Sequence, residues 1–180
     1  MTIEIERRFL VRHPETFSFG YDVVECVQIR QGYFGHVNGL KLRVRIMCDA
    51  QGNSTAVLTR KSPRRGICRE EYENPLALDE AENALASLLP SKIIRKRRHL
   101  LRHRDGLSWS VDCFEGQNAG LVIAEIELMH LGQRFERPSW AGKEVTLDRR
   151  YGNSALARSP IGDNRNCDIT ASNSLPRLMV

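Results

Sequence analysis

The chain has 180 residues, of which 41% are hydrophobic and 27% are charged, a composition that excludes bulk disorder and fits one globular domain. Its 27 Lys and Arg residues exceed its 22 Asp and Glu residues, and the net charge of +5 favours anionic partners such as phosphates, nucleotides or nucleic acid. No apolar run approaches the roughly 20 residues of a membrane-spanning helix, and no leader pattern is visible, so no membrane association is expected.

The five cysteines bear on the redox environment of the protein. None of them forms a CxxC pair, so neither a zinc ribbon nor a redox motif is expected. Scattered cysteines in odd number are typical of free thiols in a reducing compartment, which predicts a cytoplasmic location. The five are Cys26, Cys48, Cys68, Cys113 and Cys167.

Most of the first 73 residues read as β-strand: residues 2–11 and 40–47 alternate between apolar and polar side chains, and residues 23–34 are rich in Val, Ile, Tyr and Phe. In the first segment, Ile3 and Ile5 fall on one face while Glu4 and Glu6 fall on the other. Turn-forming residues such as Asn38-Gly39 separate the segments. We therefore expect strands over residues 2–11, 23–34, 40–47, 55–61 and 67–73.

The apolar spacing becomes helical after residue 77, where Leu78, Ala81, Leu85 and Leu88 share one face. Pro90 marks the exit, so the predicted helix covers residues 78–89. Further strands are predicted over 93–102, 107–114 and 121–128, with a short helix around 153–158. The polar stretch at the end shows no period, which predicts one domain over residues 1–160 and a C-terminal tail over 161–180.

The charged residues of each strand share one face, because residues two apart in a strand point to the same side. Acidic and basic residues are largely segregated by strand, and in several strands the opposite face is apolar. The acidic set is Glu4, Glu6, Glu71, Glu73, Glu125 and Glu127, with Asp112 nearby. The basic set is Arg8, Arg43, Arg45, Lys61, Arg69, Lys96 and Arg98.

The charged faces of these strands can point either to solvent or into the interior of a barrel. A charged face of a single antiparallel strand usually meets solvent, but the agreement of many strands favours a barrel whose charged face points inward and whose outer apolar face is covered by the predicted helices. A mixed-sign interior is costly unless something compensates it. Carboxylate pairs suit Mg²⁺ or Mn²⁺, and the guanidinium groups of Arg match phosphate oxygens, so a metal and a polyanion together would compensate the interior.

The same residues fall in an ordered series of motifs that resembles the CYTH/triphosphate tunnel family. The series begins with Glu4-Ile5-Glu6-Arg7-Arg8, which resembles the family's ExExK strand, and its last matches are Glu144-Val145-Thr146 and Arg150-Tyr151-Gly152-Asn153, so the resemblance covers about residues 2–160. Gln31-Gly32-Tyr33 resembles the family's QGY turn. The remaining matches are Leu42-Arg43-Val44-Arg45, Leu58-Thr59-Arg60-Lys61, Arg69-Glu70-Glu71-Tyr72-Glu73, Lys96-Arg97-Arg98, Trp109-Ser110-Val111-Asp112 and Ala124-Glu125-Ile126-Glu127.

The resemblance implies a mostly β (α+β) fold, a closed eight-stranded antiparallel barrel with flanking helices, and a metal-dependent triphosphatase that uses Mg²⁺ or Mn²⁺. It implies that Glu4, Glu6, Glu125 and Glu127 are the foremost metal ligands, with Glu71, Glu73 and Asp112 as weaker candidates. It implies that the triphosphate is held by Arg8, Arg43, Arg45, Lys61, Arg69, Lys96 and Arg98. The residues expected to act in catalysis are Glu4, Glu6, Arg8, Lys96, Glu125 and Glu127.

One departure from the family pattern concerns Arg8, which stands where the ExExK motif has Lys. The positive charge is kept, but Arg does not release a proton at neutral pH, so phosphate binding is expected there without an acid role.

Several functions remain compatible with the sequence. Hydrolysis of inorganic tripolyphosphate to pyrophosphate and phosphate leads, followed by thiamine or nucleoside triphosphate hydrolysis, class IV adenylyl cyclase activity and a polyphosphate-binding module without turnover. Nucleic-acid binding is disfavoured, because alternation splits the basic run of residues 95–99 between two faces. A small triphosphate is therefore the expected partner, and a homodimer is possible.

Overall fold

In a computed structural model of the chain, residues 1–11, 22–103 and 105–161 are described, and strands dominate them. The predicted tail lies outside the described residues apart from Ile161, as does Cys167, so the domain boundary at residue 160 stays a prediction. The strands are β1 (Thr2–Val11), β2 (Asp22–Val37), β3 (Leu40–Cys48), β4 (Ser54–Lys61), β5 (Cys68–Leu76), β6 (Ile94–Arg102), β7 (Ser108–Phe114), β8 (Val122–Glu127) and β9 (Ala141–Glu144). The α-helices are α1 (Leu78–Ala86) and α2 (Asn153–Leu156).

The first eight strands form a closed antiparallel barrel, which confirms the predicted fold. The strand order is β5-β4-β3-β2-β6-β7-β8-β1, and β1 closes the ring by pairing with β5. The first half of β1 carries the β5 pairing, with Glu4 opposite Arg69, and its second half pairs with β8. The short strand β9, which the sequence did not predict, adds to β1 through Phe9 and Glu144.

The hairpin between β2 and β3 turns at Asn38-Gly39, as the sequence predicted. Asn38 has φ of 50° and Gly39 has φ of 77°, the pair of positive values that a two-residue type I′ turn needs. The backbone twist of this turn matches that of the flanking strands, so the pairing continues up to the turn. Strand β2 therefore runs to Val37, three residues beyond its predicted end.

Helix α1 covers the outer face of β3 and β4. Ala81 and Leu85 pack there against Val44, Ile46 and Ala56. The helix ends at Ala86, earlier than predicted, and the hydroxyl of its C-terminal flanking residue donates a 2.7 Å hydrogen bond to a carbonyl of the last turn. A 3₁₀ turn at Pro90–Lys92 then leads into β6.

The outer face of β1, β7 and β8 is covered without a helix, so the expectation that helices cover the whole outer apolar face was wrong here. The segment between β8 and β9 lays Phe135 and Trp140 over Phe9 and Trp109. Trp109 is fully buried, with ring centroids 5.6 Å from Phe9, 5.7 Å from Phe135 and 5.5 Å from Trp140. Large aromatic rings supply the buried area that a helix would otherwise provide.

Helix α2 lies at one end of the barrel. Leu10, Ile94 and Ile123 continue the inner faces of their strands. They pack against Tyr151 and Leu156 of the segment that follows β9, residues 145–157, which we call the closing segment. Apolar side chains therefore fill this end of the interior. None of the helices in the described ranges has the length and apolar character needed to traverse a bilayer.

Candidate active site

The fourteen charged residues that the sequence selected lie on the inner faces of the barrel strands. Register places Glu6 opposite Glu127 and Arg8 opposite Glu125 across β1 and β8. Seven of the fourteen are acidic and seven are basic, so their formal charges cancel. Burial varies along the barrel: Lys96 and Asp112 are almost inaccessible, whereas the side chain of Glu73 is 49% exposed.

Glu4 and Glu6 lie toward the end of the barrel away from the apolar packing, called the carboxylate end, and cations from three elements surround them. Lys61 Nζ lies 3.1 Å from a Glu4 oxygen, and Arg69 Nε forms a close ion pair with the other. Burial opposes the ionisation of Glu4, but Arg69 and Lys61 together hold its pKa well below the usual range. Arg64, from the β4–β5 loop, pairs closely with Glu6.

Glu6 is less well compensated than Glu4. Burial raises its pKa, and the neighbouring charges of Glu125 and Glu4 raise it further. The pKa of Glu127 is also raised by burial and by Glu4. Four carboxylates from two adjacent strands therefore crowd one region of the interior.

This crowding fits a divalent cation, because hard cations take oxygen ligands and relieve repulsion between carboxylates. As the side chains stand, each of these carboxylates faces a resident cation or another carboxylate. Across the described ranges, no three His, Cys, Asp or Glu side chains are grouped closely enough to form a preassembled metal cage. Carboxylate oxygens are suitable ligands for Mg²⁺ or Mn²⁺. In the structure, oxygens of Glu4, Glu6 and Glu125 are paired with Lys and Arg side chains.

A second cluster joins β3, β4 and β5 through Arg43. Arg43 Nη2 donates to Thr59 Oγ1 at 2.7 Å, to Glu73 Oε1 at 3.0 Å and to Glu71 Oε1 at 3.2 Å. Glu71 also accepts from Lys61 Nζ at 2.7 Å. Burial raises the pKa of Glu71 and lowers that of Lys61. Both carboxylates of the β5 pair are thus engaged by cations.

A third cluster centres on Asp112 of β7. Arg98 donates to its two carboxylate oxygens at 2.7 Å each, and Lys96 Nζ makes a close ion pair with it. Burial opposes ionisation, yet Arg98 and Lys96 hold the pKa of Asp112 well below the usual range. Burial lowers the pKa of Lys96 to about 8 despite Asp112. Arg98 also reaches Glu125 Oε2 at 2.7 Å, which links this cluster to β8.

Arg45 is the cation of the predicted set without an acidic partner among the described residues. Its Nε donates to Gln31 Oε1 at 3.1 Å, and Gln31 in turn donates to the Tyr33 hydroxyl at 2.9 Å. Burial lowers the pKa of Arg45 to about 9, and Arg43 and Arg98 lower it further by repulsion. A partly buried guanidinium that contacts no carboxylate among the described residues is a place where an anion is stabilised.

Arg8 points away from the other cations. Its Nη1 donates to the Tyr151 carbonyl at 2.8 Å and its Nη2 to the Thr146 carbonyl at 2.9 Å. Its nearest acidic contact is Glu6, 3.5 Å from Nε. The guanidinium thus ties β1 to the closing segment.

Sequence reasoning missed four polar residues of the interior and its rim, and it misplaced one motif. Gln31-Gly32-Tyr33 is not a turn but part of β2, paired with β3. Glycine is needed there because a Cβ on Gly32 would meet Leu88 Cδ1 at 2.4 Å. The strand phase of β2 could have placed Gln31 and Tyr33 inside. Thr59 carried the same signal within its motif, whereas Arg64 lies in a loop whose path no periodicity reveals.

Comparison with known proteins agrees with this architecture. The family model described as CYTH domain matches residues 2–159. The chain is 39% identical over 157 residues to an inorganic triphosphatase of Acetivibrio thermocellus, covering 87% of this chain and 94% of that protein. It is 35% identical over 159 residues to an inorganic triphosphatase of Nitrosomonas europaea, covering 87% and 97%.

A solved structure shows the same likeness. The crystal structure of an inorganic triphosphatase aligns with a TM-score of 0.61 and 31% identity, covering 88% of this chain and 97% of that one. The family match spans nearly all the described residues, including every strand of the barrel. The chain therefore belongs to the CYTH domain family.

Proposed function

We propose that this chain is a metal-dependent inorganic triphosphatase that hydrolyses tripolyphosphate to pyrophosphate and phosphate inside its barrel. The observation that carries the proposal is the closed barrel with seven cations and seven carboxylates on its inner face. The two relatives with the same named activity, each matched over almost its full length, support the choice of substrate.

The basic residues of the interior would hold the triphosphate. Arg45 is the proposed anchor, because its guanidinium is partly buried and contacts no carboxylate in the part of the chain that the structure describes. Its neighbours would exchange their present acidic partners for phosphate oxygens, to which the planar guanidinium of Arg is well matched. These neighbours are Arg43, Lys61, Arg69, Lys96 and Arg98.

The carboxylates divide by strand into two proposed roles. Glu4, Glu6, Glu125 and Glu127 come from the adjacent strands β1 and β8, where they lie close to one another, and they would hold Mg²⁺ or Mn²⁺. A divalent ion held there would supply charge neutralisation and a water of lowered pKa. Asp112 of β7 and Glu71 and Glu73 of β5 contact Arg43, Lys61, Lys96 and Arg98, and we assign them the orientation of those cations.

The barrel itself contributes to the reaction by position. Apolar side chains fill one end, so the substrate must enter and the products must leave at the carboxylate end. Lys96 and Arg98 stand where they can neutralise charge on a departing phosphate group. Arg8 is assigned to the wall, because its donors already serve two main-chain carbonyls.

The cysteines and the basic run of β6 bear on the proposed location and partners. The four described cysteines are free thiols, which supports the proposed cytoplasmic location. Arg95 and Arg97 are exposed on the outside of β6, while Lys96 is buried inside, so the basic run is divided as alternation predicted. Such a division supports a phosphate site within the barrel over a nucleic-acid surface, and a homodimer stays a prediction.

The test is phosphate release from tripolyphosphate, ATP and thiamine triphosphate, each with Mg²⁺, with Mn²⁺ or with EDTA. Release mainly from tripolyphosphate that EDTA abolishes is the expected result. Preferential release from thiamine triphosphate or ATP would transfer the function to that substrate. Tight tripolyphosphate binding without release from any substrate would identify a binding module, and cyclic AMP formation from ATP would identify a cyclase.

A further inference from the structure

We propose that Arg64 is a resident cation that competes with the divalent metal for Glu4 and Glu6, so that metal binding requires its guanidinium to leave. The inference rests on the proposed metal site and assigns a role to a loop residue outside the set selected from the sequence. Arg64 lies in the hairpin loop between β4 and β5, at the carboxylate end of the barrel.

The loop is held in a defined position beside β1. Arg65 and Cys68 exchange two main-chain hydrogen bonds of 2.8 and 3.1 Å, and Gly66 supplies the positive φ of 62° that the turn needs. The Ile67 carbonyl accepts a 3.4 Å bond from the Glu6 amide. The loop therefore delivers Arg64 to the carboxylate end of β1.

The contacts of Arg64 are with both predicted metal ligands of β1. Its Nη2 makes a close ion pair with Glu6 Oε1 and lies 3.9 Å from Glu4 Oε2. Its Nη1 is 3.5 Å from the Ile67 carbonyl, so one edge of the guanidinium stays on its own loop. One cationic group thus spans the oxygens that a metal would share.

Occupation by Arg64 and by a metal is mutually exclusive. An ion bound through Glu6 Oε1 would stand within a few ångströms of a guanidinium on the same oxygen, and like charges at that separation repel strongly at low dielectric. Arg64 can yield, because it belongs to a loop, whereas the other cations of this cluster, Lys61 and Arg69, project from strands. Exposure does not separate Arg64 from Arg69, since both side chains are 21% exposed.

The experiment is a Mn²⁺ titration of the substrate-free full chain, followed by electron paramagnetic resonance of free Mn²⁺. Arg64→Ala should bind Mn²⁺ about tenfold more tightly than wild type, because the competing charge is gone. Arg65→Ala is the matched control, since it removes the same charge from the same loop at an exposed position, and its affinity should stay within about twofold of wild type.

Each other outcome has a definite meaning. Wild-type binding with no tightening in Arg64→Ala, or equal tightening in Arg65→Ala, would overturn the competition and leave the metal site intact. Absence of Mn²⁺ binding in all three proteins would overturn the metal site and with it the competition. Circular dichroism checks folding, and Arg64→Gln replaces the Ala variant if that variant does not fold.

Discussion

Arg8 and Tyr151 are 143 positions apart in the chain, and a 2.8 Å hydrogen bond from the Arg8 guanidinium to the Tyr151 carbonyl joins them. The second terminal nitrogen of Arg8 reaches the Thr146 carbonyl, and the Arg8 main chain bonds the same segment through the Thr146 hydroxyl and the Val145 amide. The strand that carries Glu4 and Glu6 is therefore fastened to the closing segment, which packs against the apolar end of the barrel.

Replacement of Arg8 by Ala should destabilise the fold. Two buried carbonyls would lose charged donors, and a buried hydrogen bond to a charged group contributes about 1.5–3 kcal/mol, so we expect a loss of about 2–4 kcal/mol in the free energy of unfolding. Urea denaturation measures this loss. Arg7→Ala is the control, because Arg7 pairs with Glu144 on the outer surface and should cost no more than about 1 kcal/mol. Equal losses in the two variants would refute the fastening role.

Replacement of Glu6 by Gln should abolish metal-stimulated turnover while the protein stays folded. The amide removes the charge that a divalent ion needs, but it keeps the shape of a side chain whose ionisation burial already opposes. We expect phosphate release to fall by at least about 100-fold, with a melting temperature at or above that of wild type. Glu82→Gln on the exposed side of α1 serves as the control and should retain wild-type turnover. Turnover unchanged in folded Glu6→Gln would remove Glu6 from the site.

Arg45→Ala should weaken substrate binding more than it weakens the fold. Its guanidinium has no acidic partner among the described residues, so its removal leaves no carboxylate uncompensated and relieves repulsion with Arg43 and Arg98. Steady-state kinetics should show a tripolyphosphate KM raised by about tenfold or more. Arg60→Ala, on the exposed face of β4, is the matched control and should leave KM unchanged. A large loss of stability with unchanged KM would make Arg45 structural.

The activity should decline as Lys96 loses its proton. Its pKa of about 8 lies below the usual 10.5, so the amine is charged below pH 8 and becomes neutral as the pH rises through that value. Because kcat/KM reports ionisations of the free enzyme, kcat/KM for tripolyphosphate should fall between pH 7 and pH 9. Lys96→Arg keeps its charge over this range and should lack the inflection. The same decline in both proteins would assign it to another group.

The inner charged face could be predicted from the sequence. Alternate residues of a strand point to opposite faces, so the apolar residues share one face and the charged residues share the other. Glu4 and Glu6 on one strand and Glu125 and Glu127 on another could be assigned to the same face from spacing alone. Their approach to one another across β1 and β8 depends on strand order, which periodicity does not encode and the family resemblance supplied.

The misses have physical causes. Phe135 and Trp140 cover the barrel from a segment without periodicity, so their contact with Trp109 was not visible in the sequence. The partners of Arg8 are main-chain carbonyls, which every residue possesses and no motif records. Arg64 reaches Glu6 only through the path of a loop, which local sequence does not determine.

The most direct test of the central claim is ³¹P nuclear magnetic resonance of tripolyphosphate incubated with the full chain and Mg²⁺, beside a sample with EDTA and a sample of Glu6→Gln. The account predicts loss of the tripolyphosphate signals and appearance of pyrophosphate and phosphate in equal amounts in the first sample, with neither product in the other two. Persistence of tripolyphosphate in the first sample, or equal hydrolysis in all three, would contradict metal-dependent hydrolysis in the barrel.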